Sequence, residues 1–245
     1  MASFILIHGS WHGGWCFDGI KTILEEQGHE VIAPDLPGMG GDEQQLRAVT
    51  LQGWADFAAE LCRNAKQKPV ILAGHSRGGL VVSQTAETAP DAIDGLVYIC
   101  AMMLPDGMSR AQFKQLEGPN PAFDAIITAI ANGGGTVVDG EAGRDIFAQL
   151  SPESLVDNAM ERLVAEPHGP RSEPLQLTAG GFGSLPRTYI ECTADRTIPI
   201  NSQRKMQKLV PGADIVTLDA DHSPFLSRTK ELATALIAAA KKISS

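Results

Sequence analysis

Val70-Ile71-Leu72-Ala73-Gly74-His75-Ser76-Arg77-Gly78-Gly79 is the stretch from which the fold is read. A short apolar run predicts a strand, and the run from Leu80 to about Ala89 predicts a helix directly after it. Gly-x-Ser-x-Gly between a strand and a helix is the context of a nucleophile elbow, with Ser76 at its tip. So sharp a turn strains the serine and leaves no room for a Cβ at Gly74 or Gly78. The helix would direct its first amides and positive dipole end at the serine oxygen, where charge develops in acyl transfer.

Outward from the elbow, strands alternate with helices. Strands are expected at Phe4 to Ile7, Glu30 to Ala33, Ile93 to Cys100, Arg187 to Cys192 and Ile215 to Leu218. Helices are expected from about Trp15 to Gln27, Thr50 to Ala65, Ile200 to Leu209 and Phe225 to Lys242. The pattern predicts a mostly parallel sheet of about six strands with helices on both faces. The alternation breaks between Ala101 and Arg187, too long a stretch for a structureless loop. Residues 104–186 therefore read as a mainly helical cap inserted into a core made of 1–103 and 187–245. Within it, Pro121 to Ala131 reads as a helix ended by Gly133-Gly134-Gly135, and Ser151-Pro152 as the start of a second reaching about Ala165. Apolar residues of this region and of the first loop, Trp11, Met102, Met103, Phe113, Phe123 and Phe147, are candidates to line a substrate pocket above Ser76.

Composition limits the function. The chain has 245 residues, 43% hydrophobic and 20% charged, as in ordinary globular proteins. A net charge of -9 and pI near 5.1 oppose nucleic acid or an anionic membrane as partner. No run reaches membrane-spanning length and the first residues have no signal-peptide pattern, so a cytoplasmic protein is expected. Cys16, Cys62, Cys100 and Cys192 are widely spaced and read as reduced, buried thiols without a metal or disulfide role. No cofactor is implied. Whether the chain forms a homodimer is left open.

An activated serine needs a base, and the base an orienting carboxylate. Ser76, Asp195 and His222 each follow a predicted core strand, in the order Ser, Asp, His that this architecture uses. Of the six histidines only His222 follows a core strand late enough. His8 and His12, in His8-Gly9-Ser10-Trp11-His12-Gly13-Gly14-Trp15, read as loop-holding residues, and Asp219 and Asp221 as loop acids.

Those segments, together with Phe182-Gly183-Ser184-Leu185-Pro186-Arg187 and the run to Asp195, resemble the α/β-hydrolase branch that contains plant methylesterases and the related hydroxynitrile lyases. The resemblance runs nearly end to end. It implies an α/β-hydrolase fold, a Ser76–His222–Asp195 triad, an oxyanion hole from the backbone N–H groups of Ser10 and Arg77, and hydrolysis of a small, mainly apolar ester through an acyl-enzyme. Arg77 departs from the branch, where an uncharged residue is usual, and its side chain needs an acidic or aromatic neighbour that the sequence does not identify. A hydroxynitrile lyase and a small-molecule binding protein on a hydrolase scaffold are the alternatives. The lyases use a lysine after the histidine and a threonine after the first-strand histidine; Ser223 and Gly9 stand there.

Overall fold

The computed structural model describes residues 1–244. Nine strands follow in chain order: β1 Ser3–Ile7, β2 Glu30–Ile32, β3 Val70–His75, β4 Gly95–Ile99, β5 Ile127–Ile130, β6 Gly135–Val138, β7 Glu166–Pro167, β8 Arg187–Cys192 and β9 Ala213–Leu218. Six form one sheet in the order β2-β1-β3-β4-β8-β9. Every pairing in it is parallel. The central strands are buried along their length, which is why they read as unbroken apolar runs. Successive side chains still alternate between faces: Ile5, Ile7, Val70 and Leu72 join one core layer, and Phe4, Leu6, Ile71 and Ala73 the other.

The strand order places the site. From β1 the chain moves outward to β2 and then returns to place β3 on the other side of β1, so the sheet switches direction between β1 and β3. Crevices at such a switch point, beyond the carboxyl ends of the strands, are where open α/β sheets bind ligands. Ile7 pairs with Gly74 in register, so the loops that follow β1 and β3 leave the sheet side by side.

The segment between β4 and β8 differs in detail from its expected form. The helix at Pro121 stops at Ala125, and β5, β6 and β7 make a small antiparallel sheet. The physical signal is in the sequence: β-branched Ile126, Ile127 and Thr128, then Asn132-Gly133, which supports the positive φ values of 48 and 83° that a tight turn needs. The later helix runs Glu153–Glu161 with Pro152 at its N-cap, because the Ser151 hydroxyl donates instead to Asp221. The helix Glu43–Ala48, with an Asp42/Gln45 capping box, was not anticipated. The last helix is broken at Arg228 into Pro224–Ser227 and Thr229–Ser244. No helix among the described residues is long and apolar enough to cross a membrane.

The elbow depends on close backbone packing. A Cβ on Gly78 would stand 2.6 Å from the Ile7 carbonyl oxygen and 2.8 Å from that of His8, both backbone atoms that cannot swing away. Gly78→Ala is therefore expected to destabilise the fold by about 1–3 kcal/mol and to lower turnover sharply, read from urea midpoints and an ester assay on the same preparation.

Candidate active site

Ser76 occupies the tip of the β3 turn with φ 53°, a left-handed conformation that serine rarely adopts. The turn is held from both sides: the Ser76 N–H donates to Ile99 O, and the Ser76 carbonyl accepts from the N–H groups of Gly79 and Met102. Its hydroxyl lies 3.0 Å from His222 Nε2, while His222 Nδ1 donates to Asp195 Oδ2 at 2.7 Å. All three side chains are buried. The Asp195 carboxylate also accepts at Oδ1 from the N–H groups of Thr197 and Ile198, each at 2.8 Å. A charge held by that many donors keeps its orientation, and through it the imidazole keeps the tautomer whose Nε2 can accept from Ser76. Asp221 is also fully buried but points elsewhere. It accepts from Leu150 N, Ser151 Oγ, Ser223 N and Ser227 Oγ, fastening the inserted segment to the His222 loop.

Ser10 and Arg77 stand beside Ser76 around one small cavity. Among the described residues, neither backbone N–H donates to a protein acceptor. Their directions follow from the planar trans peptide, in which N–H and C=O point opposite ways. The Gly9 carbonyl shares its peptide with the Ser10 N–H, and His8 Nδ1 and Arg77 Nη2 both donate to that carbonyl. The Ser76 carbonyl shares its peptide with the Arg77 N–H and is held by Gly79 and Met102. Holding the two carbonyls fixes the two amides. Gly9 itself is required by close approach, since a Cβ there would meet Ser76 Cβ at 2.8 Å.

The neighbour that Arg77 needs is Glu166, on β7. Arg77 Nε lies 2.6 Å from Glu166 Oε1, an ion pair whose N–H is not aligned as a hydrogen bond, and both side chains are almost wholly buried. The guanidinium also lies over Trp54, 4.2 Å from its ring centre. The same Oε1 accepts from Ser10 Oγ at 2.9 Å. One carboxylate from the inserted segment thus holds the side chains of both residues whose amides border Ser76. A buried acid so far along the chain leaves no local signal, which is why sequence reading misses it.

Trp11, Met102 and Phe123 line the cavity, with Ile198. Met103 and Phe113, expected there, are instead buried in the core beneath. Phe147 packs against Trp11, His12 and the His222 ring without lining the cavity. The other lining residues are basic or hydroxylic: Arg77, Arg110, Arg171 and Thr197. Arg110 and Arg171 carry no motif and stand outside the residues expected from sequence. This inner space is only about 30 Å³; Arg110, Phe123 and Thr197 separate it from an outer cavity of about 490 Å³. An inner space of that size holds a water molecule or two. His75, Cys100 and His222 offer donor atoms within 4.8 Å, but both His222 nitrogens are engaged, His75 Nε2 donates to His222 O, and burial pushes the Cys100 thiol well up, which disfavours its ligating thiolate.

Residues 4–235 match the family model described as "Alpha/beta hydrolase family". The chain belongs to the alpha/beta hydrolase family. It is similar to a pyrethroid hydrolase of Sphingobium wenxiniae, 32% identical over 96% of this chain and 86% of the relative. Salicylic acid-binding protein 2 of Nicotiana tabacum is 30% identical over 98% and 97%. The solved structure of a pyrethroid hydrolase from Sphingobium faniae superposes with a TM-score of 0.88 at 31% identity, covering 98% of this chain and 97% of that one.

Two outcomes follow from the buried charges. Glu166→Leu leaves the Arg77 guanidinium without a counter-charge and should cost about 3–5 kcal/mol, whereas adding Arg77→Leu should restore most of it, since an apolar pair can replace a buried ion pair. Urea midpoints of the two variants check this. Separately, burial holds His8 down to about 3, His12 to about 4, and His75 well below the usual histidine value. Unfolding frees all three to about 6.5, so between pH 4 and 6 the unfolded chain binds more protons and stability falls as pH falls. The expected slope is up to about 4 kcal/mol per pH unit, near 1.4 per proton; denaturation curves at pH 7.5, 6 and 5 measure it.

Proposed function

We propose that this chain is a serine carboxylic-ester hydrolase in which Ser76 is the nucleophile, His222 the base and Asp195 its orienting acid. The observation that carries this reading is the hydrogen-bonded chain from Ser76 Oγ to His222 to Asp195, opening on the same cavity as the two undonated N–H groups of Ser10 and Arg77. His222 Nε2 takes the Ser76 proton as Oγ attacks the ester carbonyl, and the oxyanion lies between those amides. Collapse breaks the bond to the alcohol, which leaves with the proton from His222. Water, deprotonated by His222, then attacks the acyl-enzyme and releases the acid and free Ser76. These steps need no metal or organic cofactor.

Residues 104–186 act in this reading as a cap over the site, with Glu166 and the Asp221 contacts as its anchors. The partner is a small ester; its pocket has an apolar side, Trp11, Met102 and Phe123, which suits the mainly apolar substrate expected from the resemblance. Four free, buried thiols suit a reducing compartment, and the cytoplasm is the proposed location. The lyase alternative is weakened at Gly9, where a threonine Cβ would collide with Ser76, and at Ser223, which carries no positive charge for a leaving anion. A pure binding role would not require the aligned serine, histidine and aspartate.

Ser76→Ala and His222→Ala are each expected to lower kcat by several orders of magnitude, with the double variant hardly worse, because the two act as one unit. Asp195→Asn should cost on the order of 10⁴ in kcat with the fold retained. Steady-state kinetics on an activated ester, with mass spectrometry for an acyl group on Ser76, decide the matter; additive losses or a silent Asp195→Asn would sink the assignment.

A further inference from the structure

Three arginines converge on the small cavity at Ser76, in a chain whose net charge is -9. Two have counter-charges: Arg77 has Glu166, and Arg110 has Glu117 with its Nη1 2.8 Å from Oε2. Arg171 has none. Among the described residues its half-buried side chain meets no carboxylate and makes no hydrogen bond. No acid lines the inner cavity, so it faces one uncompensated positive charge. Arg77, more than nine-tenths buried, also keeps a buried Nη1 without a hydrogen-bond acceptor, while Arg110 Nη1 faces Glu117.

Gathering like charges around a small, partly enclosed space is costly. Burial, and repulsion from Arg171, both oppose the charged forms of Arg77 and Arg110. A buried donor left without an acceptor is unfavourable, more so when charged. Packing does not call for this set: Trp11, Met102, Phe123 and Ile198 already supply the apolar wall. An anion entering the cavity would offset the repulsion and supply the counter-charge that Arg171 lacks, and a guanidinium fork matches the planar two-oxygen face of a carboxylate.

Resting on the esterase reading, we propose that the substrate is an ester that also carries a free carboxylate, received by Arg171 and Arg110 while its ester carbonyl lies at Ser76. Arg110 lines both cavities, so a chain reaching from Ser76 toward the outer space passes this group. The substrate class is thus monoesters of dicarboxylic acids or acyl esters of hydroxy acids, with one end of the pocket apolar and the other basic. Hydrolysis proceeds as above, and the second carboxylate takes no part in bond making.

The test compares kcat/KM in a pH-stat for monomethyl adipate against dimethyl adipate, and for 4-acetoxybutanoate against its methyl ester. The anionic member of at least one pair should be preferred by about tenfold or more. Arg171→Gln should bring that ratio to about one, and Arg171→Lys, which keeps the charge, should retain most of it; a merely structural loss would lower both rates and leave the ratio. Binding is read separately by titrating the Ser76→Ala protein with adipate, hexanoic acid amide and inorganic phosphate. Adipate should bind most tightly, and less so when Arg171→Gln is added. Neutral esters hydrolysed as well as or better than both anionic partners, or phosphate bound in place of adipate, would overturn the proposal while leaving the esterase reading intact. Arg171-dependent adipate binding by a protein that turns over no ester at all would overturn the esterase reading, and with it the ester substrate, while keeping the carboxylate contact at Arg171.

Discussion

Arg77 puts a permanent positive charge inside the protein one residue after Ser76, and much of the structure above the sheet is arranged to accommodate it. A guanidinium cannot shed its proton at any working pH, so burial must be met by contacts. Trp54 covers one face, Glu166 neutralises the charge, and the Gly9 carbonyl accepts a hydrogen bond from Nη2. Each of these partners belongs to a different part of the chain. The helix Leu51–Arg63, the inserted segment and the first loop are thereby fixed relative to the elbow by one side chain.

That arrangement ties the inserted segment to the chemistry beneath it. Glu166 holds the Ser10 and Arg77 side chains, and Asp221 joins the loop before the helix Glu153–Glu161 to the residue next to His222. The aromatic cluster of Trp11, Phe123 and Phe147 fills the space between. Displacing the segment would expose apolar surface and also leave Arg77 without its counter-charge, so opening of the whole segment is opposed by both terms. Arg110, Phe123 and Thr197, which stand between the inner and outer cavities, touch neither anchor.

The histidines show how differently one residue type is used within a few ångströms. His8 and His12 are neutral struts: His8 accepts from the Leu36 N–H and donates to Gly9, and His12 donates to the Ser10 carbonyl and stacks on Trp15. His75 braces the His222 carbonyl. Only His222 has both a carboxylate on one nitrogen and a hydroxyl on the other. The first loop's histidines were read from sequence as loop-holding, and their contacts give that reading a purpose: a held carbonyl orients the amide on the far side of its peptide.

The sheet, its parallel sense, the elbow and the loops that carry Ser76, Asp195 and His222 are legible in the chain's own residues, because these rest on local properties: apolar runs, glycines at forced turns and the order of strand ends. The sequence also held the Asn132-Gly133 turn signal, which a helical reading of the preceding apolar residues obscured. Packing settles what Arg77 meets, that Met103 and Phe113 lie in the core while Trp11 and Phe123 reach the cavity, and that Arg110 and Arg171 converge beside Ser76. Those outcomes depend on which distant side chains a buried charge or a cavity finds once the inserted segment has packed, and a residue's sequence neighbours carry no record of that.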